Sequence, residues 1–199
     1  MATLKPFRGL RPRKELAQKM ACPPYDVVTT EEARDYAIGN PHCFFHISRP
    51  EIGSPQGDEH EAAAANLNRF HDKGWLVQDD NPFFYLYRQR MGGHTQTGIV
   101  AAASVAEYDS GLIKKHELTR PDKEDDRTRH IHALRANDEP VFLTYRANPQ
   151  IDALIGELTE APPEYDFVSE DKVAHTFWIV PPGRCQEIEA AFEKVPAFY

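Results

Sequence analysis

The sequence is poor in the features that define several large functional classes. It has no apolar run near the roughly 20 residues that cross a bilayer, and no apolar signal-peptide core near its start. Its three cysteines are widely spaced and include no C-x-x-C pair, so neither a disulfide framework nor a zinc ribbon is indicated. The P-loop, the dinucleotide-binding glycine pattern and the serine-hydrolase elbow are also missing. We therefore expect a cytoplasmic protein outside these classes.

Basic charge is in deficit. The chain of 199 residues carries 23 basic and 31 acidic side chains, which gives a formal net charge of -8. Nucleic acids and anionic membranes bind mainly to basic surfaces, which displace their counterions. We therefore expect neither as a partner. The hydrophobic share of 41% lets a chain of this length bury its own core.

Local sequence signals predict an α+β fold. Thr29 and Glu32 have the spacing of a capping box at a helix start, and Gly92-Gly93 separates two alternating segments as a hairpin turn does. We expect a mixed, largely antiparallel β-sheet with helices packed on one face, preceded by a helical N-terminal segment. The predicted helices cover 14–20, 58–73, 121–136, 151–160 and 184–194, and the predicted strands cover 43–48, 83–90, 95–108, 111–118, 141–146, 165–168 and 173–180.

The same signals predict how the chain is organised. Residues 1–80 are expected to form the mainly helical segment, packed on the sheet. Residues 81–199 are expected to form the α+β sheet domain. The two parts are predicted to make one continuous unit.

The most unusual segment is the helix predicted to begin at Pro121. It carries no apolar residue before His130, whereas a packed helix places one every three or four positions. Lys123, Arg127 and His130 recur at helical spacing on one face, and Arg120 lies just before the N-terminus, where the helix dipole favours an anion. One interpretation is a clamp for phosphate or carboxylate. The other is a solvated helix with several ion pairs, and the spacing leaves both open.

Three residues are candidates for acid–base catalysis. His116 and Glu117 are adjacent and chemically adequate, although neighbouring side chains on a strand face opposite sides. A second histidine four residues on is missing, so a zinc-protease helix is not indicated and we predict no metal ligands. Asp26 follows Tyr25 on a rigid loop that begins with two prolines. Asp26 is either an acid–base group or a residue that stabilises the turn into the next helix.

Several separated stretches together resemble the domain-of-unknown-function 1015 family, whose members are expected in bacteria and archaea. The stretches are Pro6-Phe7-Arg8-Gly9-Leu10-Arg11-Pro12, Pro23-Pro24-Tyr25-Asp26-Val27-Val28, Asn40-Pro41, Phe45-His46-Ile47-Ser48-Arg49-Pro50-Glu51, Lys115-His116-Glu117-Leu118-Thr119, and Pro140-Val141-Phe142. The positions that match the family are Arg8, Arg11, Tyr25, Asp26, Arg49, Glu51, His116, Glu117, Thr119 and Arg127. The resemblance spans essentially the whole chain.

The resemblance implies a longer protein. In the family, the segment similar to the one ending at Tyr199 is followed by an Asp-Gly-His-His-Arg type of motif, which looks like the phosphate-handling motif of ParB-related free-serine kinases. This chain is therefore expected to be an N-terminal part that is inactive alone. The missing C-terminal half or a second copy of the chain is its expected macromolecular partner.

The resemblance also implies an activity. The full-length protein is expected to be a phosphotransfer enzyme, a kinase or phosphatase, acting on a small anionic metabolite such as serine or phosphoserine. A nucleotide with a divalent cation is its expected cofactor. The alternative is a non-catalytic metabolite-binding or protein-interaction module.

Overall fold

The computed structural model describes residues 3–53, 57–116 and 118–199. In these residues the helices are α1 (Ala17–Met20), α2 (Thr30–Ala37), α3 (Phe45–Ser48), α4 (Glu59–Asp72), α5 (Val105–Asp109), α6 (Pro121–Leu134), α7 (Pro149–Leu158) and α8 (Cys185–Phe192). The strands are β1 (Leu4–Lys5), β2 (Leu10–Pro12), β3 (Leu76–Gln78), β4 (Tyr85–Met91), β5 (His94–Val100), β6 (Ala102–Ala103), β7 (Tyr165–Val168) and β8 (Ala174–Ile179). Short 3-10 turns occupy Lys14–Leu16, Pro50–Gly53 and Pro182–Arg184. The predicted α+β class is confirmed.

The chain divides into two compact units. The first, here called the sheet unit, comprises Met1–Gly9, Gln78–Leu118 and Phe142–Tyr199. The second, the helical unit, comprises Leu10–Val77 and Thr119–Val141. Helix α6, which the sequence groups with the sheet domain, therefore belongs with the N-terminal helices.

The sheet unit is built on a four-stranded antiparallel sheet in the order β5-β4-β8-β7. Strands β4 and β5 form the predicted hairpin, with Met91 opposite His94 and Gly92 at a φ of 57°. Such a positive φ costs glycine little, because glycine has no Cβ. Strands β1 and β6 form a separate antiparallel pair.

One face of the four-stranded sheet carries the core of the sheet unit. Leu86 and Trp178 are opposite each other on β4 and β8, and both are buried. They pack in one apolar cluster with Ile151 and Leu158 of α7 and Ile188 and Phe192 of α8. Successive side chains of a strand point to opposite faces, so the alternate residues of β4 and β8 form an aromatic layer on the other side. That layer includes Tyr85, Tyr87, Phe177 and His175.

The helical unit is organised around α4, which packs against α3 and α6. Helix α4 begins where the Asp58 side chain accepts hydrogen bonds from the backbone N–H groups of His60 and Glu61, at 2.7 and 3.3 Å. It ends before Gly74, whose φ of 63° fits the predicted C-terminal position. Its core cluster consists of Met20, Ile47, Ala63, Phe70, Leu76 and Leu134.

Two further helix signals of the sequence are confirmed. The Thr29 hydroxyl accepts from Glu32 N at 3.2 Å, and the Glu32 carboxylate accepts from Thr29 N at 2.8 Å, which completes the capping box. Helix α6 has Pro121 in its first turn and ends at Arg135, which has a left-handed φ of 53°. No described helix is long and apolar enough to cross a membrane.

Four predicted strands need correction. Residues 43–48 contain helix α3 instead of a strand, because a short apolar run has no periodicity that separates a strand from a buried helix. The strand predicted over 95–108 ends at Val100, and α5 follows. Residues 111–118 contribute one isolated bridge, between Ile113 and Phe198. Residues 141–146 form no strand, although the backbones of Thr144 and Tyr199 exchange two hydrogen bonds, at 2.7 and 2.9 Å.

Candidate functional site

The candidate site lies in the helical unit and begins with the Arg49 side chain. Its guanidinium donates to the carbonyl oxygens of Tyr25 and Val28, at 2.5 and 2.8 Å, and to the Thr30 hydroxyl at 3.0 Å. It also pairs with the Glu51 carboxylate at 2.5 Å. The Arg49 side chain is 14% exposed, so most of this network is shielded from water. Arg49 therefore fixes the loop that carries Tyr25 to the helices beneath it.

Arg127 of α6 lies against this loop. Its guanidinium carbon is 4.5 Å from the centre of the Tyr25 ring, within the range of a cation–π contact. Its Nε and Nη2 donate to Asp126 Oδ2, at 3.2 and 3.0 Å. Its Nη1 is buried without a hydrogen-bond partner in the described part of the chain, and lies 3.7 Å from Glu139 Oε2. One donor of this arginine is therefore unsatisfied.

Glu139 is a carboxyl group that titrates near neutrality. Its pKa is raised to about 7, first because burial penalises the charged form and then because Asp138 is negative. Arg127 opposes this shift, Asp26 adds to it, and Arg49 opposes it again. Groups with a pKa near the working pH are the ones best suited to give and take protons.

A pair of buried histidines adjoins these residues. The His130 ring is 1% exposed, and its Nε2 lies 3.0 Å from Asp138 Oδ2. The His60 ring packs edge-on against it with 5.7 Å between ring centres. In both rings Nδ1 is buried without a hydrogen-bond partner among the described residues. His60 Nε2 is 3.5 Å from Asp126 Oδ1.

The electrostatics of the cluster are mixed. Its acidic side chains are Asp26, Glu51, Asp126, Asp138 and Glu139, and its cations are the guanidinium groups of Arg49 and Arg127. The acidic groups outnumber the cations, yet one guanidinium nitrogen remains unsatisfied. Such an arrangement suits a ligand that brings an anionic group to the arginine and a cation to the carboxylates.

The structure brings together six of the residues that the sequence singles out. They are Tyr25, Asp26, Arg49, Glu51, Arg127 and His130. The remaining candidates on α6 lie on the surface. Arg120 is exposed and pairs with Asp122 at 2.6 Å, Thr119 donates to Glu124 at 2.8 Å, and Lys123 is exposed. The polar face predicted for α6 is thus half-buried at Arg127 and open at Lys123.

Other candidates have separate surroundings. Arg8 belongs to the sheet unit and donates to the Asp79 carbonyl at 2.8 Å. Arg11 lies half-buried in β2 of the helical unit. His116 is exposed and belongs to the sheet unit. Glu117 lies outside the described residues.

Sequence reasoning missed His60, Asp126, Asp138 and Glu139 as candidates. The adjacent carboxyl residues Asp138 and Glu139 follow the end of α6 directly, which was a usable signal. His60 sits in the first turn of α4 among exposed polar neighbours, and its burial has no local signature.

A comparison with protein-family models supports the resemblance. The model described as a protein of unknown function, DUF1015, matches residues 4–199. No curated protein and no solved structure matches the chain significantly. The family match covers nearly the whole chain and includes every residue of the candidate site. The chain therefore belongs to the DUF1015 family, whose function is not established.

Proposed function

We propose that the helical unit binds the anionic group of a small metabolite at Arg127, and that Glu139 handles a proton in a phosphotransfer reaction on that metabolite. The observation that carries the proposal is the buried, unsatisfied Nη1 of Arg127, beside a carboxyl group with a pKa of about 7. The family itself contributes no reaction to the argument.

The unsatisfied guanidinium nitrogen favours an anionic ligand. A buried donor without a partner costs about 1–3 kcal/mol, which an incoming phosphate or carboxylate oxygen would recover. Arginine is also the residue that matches these groups with two parallel hydrogen bonds. Arg49 lies in the same charged cluster but already holds its loop through four contacts. Arg127 is therefore the residue assigned to the ligand.

Glu139 couples ligand binding to a proton. At neutral pH it exists as comparable amounts of the acid and the carboxylate, because its pKa is about 7. The carboxylate attracts Arg127, whereas the acid does not compete for it. An anionic ligand near Glu139 would raise its pKa further and so draw in a proton. That proton is then available to an oxygen of the bound metabolite.

Phosphoryl transfer fits these groups because it depends mostly on positioning and on neutralising charge. The proposed reaction is that of a kinase or phosphatase acting on serine or phosphoserine, with a nucleotide and a divalent cation in the full-length protein. The proposal assigns Arg127 to the phosphate, Tyr25 to the packing of Arg127, and Glu139 to the proton.

Calorimetric titration with phosphoserine and with inorganic phosphate tests the binding step. We expect Arg127→Gln to weaken phosphoserine binding about tenfold or more, since a hydrogen bond to a charged group is worth roughly 1.5–3 kcal/mol. Arg129→Gln on the same helix is the matched control, because Arg129 is exposed. Equal losses in the two variants, or no binding by the unaltered chain, would contradict the assignment.

A metabolite-binding module without catalysis is a second candidate. One observation favours it: His116, the other proton-handling candidate, is exposed and belongs to the other unit. Glu139→Gln separates the two functions. In an enzyme it removes phosphate turnover while phosphoserine still binds. In a module the unaltered protein has no turnover, and the variant loses only the pH dependence of binding.

A further inference from the structure

We propose that Glu59, His60 and Asp126 form a binding site for a divalent transition metal. One potential ligand atom from each of the three side chains lies within 4.8 Å of the other two. The site rests on contacts between α4 and α6 and needs no metabolite, so it goes beyond the proposed function. It shares only its neighbourhood with Arg127, which hydrogen-bonds to Asp126.

His60 is the observation that points to a metal. Its side chain is 8% exposed, and its Nδ1 is buried without a hydrogen-bond partner in the described part of the chain. Its Nε2 lies 3.5 Å from Asp126 Oδ1, beyond the usual range of about 2.7–3.2 Å for such a hydrogen bond. An imidazole that has lost its water and gained no strong hydrogen bond is stabilised when a cation binds a ring nitrogen.

The separation of His60 and Asp126 matches a shared ion. Zinc binds histidine nitrogen and carboxylate oxygen at about 2.0–2.2 Å, so two ligands of a tetrahedral ion lie about 3.3–3.6 Å apart. The 3.5 Å between His60 Nε2 and Asp126 Oδ1 falls in that interval. Glu59 is exposed, so its carboxylate can close the remaining distance by changing rotamer.

The surrounding groups hold two of the ligands in place. The Asp58 side chain accepts from His60 N at 2.7 Å and fixes the start of α4, where Glu59 and His60 are the first two residues. Arg127 occupies Oδ2 of Asp126, so that Oδ1 is the oxygen near His60. Such supporting hydrogen bonds orient metal ligands and raise their affinity.

The ligand set indicates which metal would bind. One imidazole and two carboxylates suit Zn²⁺ or Mn²⁺, whereas Mg²⁺ and Ca²⁺ prefer oxygen ligands alone. Two carboxylates also balance the charge of a divalent ion. With three protein ligands and an exposed side at Glu59, the ion would keep a position for water or for a ligand oxygen.

The test is calorimetric titration of the chelator-treated chain with Zn²⁺ alone and with Mn²⁺ alone. We expect one equivalent of one of these ions to bind. Glu59→Gln should weaken that binding about tenfold or more, because losing a direct ligand costs at least as much as losing a supporting partner. Glu59 is exposed, so this variant folds even if His60→Ala does not.

Glu61→Gln is the matched control, since it makes the same change in the same turn of α4 on another exposed residue. It should leave the affinity unchanged. The proposal is overturned if neither ion binds, or if Glu59→Gln and Glu61→Gln behave alike. Because the metal is titrated without metabolite, this failure is distinguishable from a failure to bind phosphoserine.

Discussion

Replacing Arg49 with methionine is expected to destabilise the helical unit substantially. The change keeps much of the apolar stem but removes four contacts, made with the carbonyl oxygens of Tyr25 and Val28, the Thr30 hydroxyl and the Glu51 carboxylate. Hydrogen bonds to a charged group contribute about 1.5–3 kcal/mol each. Water can reach the half-buried loop and recover part of this sum. We therefore expect a loss of about 3 kcal/mol in the free energy of unfolding.

Urea denaturation followed by tryptophan fluorescence measures this loss in the right unit. The chain has two tryptophans, Trp75 in the helical unit and Trp178 in the sheet unit. A Trp178→Phe background leaves Trp75 as the probe of the helical unit. With a urea slope of about 2 kcal/mol/M, the expected loss moves the midpoint down by about 1.5 M.

Two variants in the same background decide whether the reasoning holds. Arg120→Met removes an exposed arginine that pairs with Asp122, and should cost at most about 0.5 kcal/mol. Arg49→Lys keeps the charge but not the planar fork, and should fall between the two. If Arg49→Met costs no more than Arg120→Met, the network around Arg49 does not hold the loop.

Two further predictions concern a carboxyl and a close packing contact. The folded pKa of Glu139 is about 7 and the ordinary value is 4.5, so the folded state holds a proton across that interval and stability falls as pH rises through it. Glu139→Gln should remove about 1–2 kcal/mol of this decline between pH 5 and 8 in urea titrations, and an unchanged pH dependence would contradict the assignment. At Gly9 an added Cβ would lie 2.5 Å from Tyr85 Oη, so Gly9→Ala should cost about 1–3 kcal/mol of unfolding free energy. Tyr85→Phe should recover part of that cost, and strictly additive effects in the double variant would refute the clash.

Local sequence signals determined much of the secondary structure. The capping box of Thr29 and Glu32, the Asp58 cap of α4 and the Gly92 turn each depend on residues within a few positions of one another. These interactions form in any context that leaves the segment intact, so their spacing is sufficient to predict them. The family resemblance also followed from the order of short motifs along the chain, and the family model confirms it.

The tertiary structure decided what these local signals left open. The apolar run at 43–48 became helix α3 because its surroundings bury it on several sides, and periodicity carried no preference. The candidate site required Arg49 to reach Tyr25, 24 positions away, and His60 to meet Asp126 on another helix. Burial then set the pKa of Glu139 and left donors unsatisfied on Arg127 and His60. Desolvation depends on every group packed around a side chain, so only the folded chain determines it.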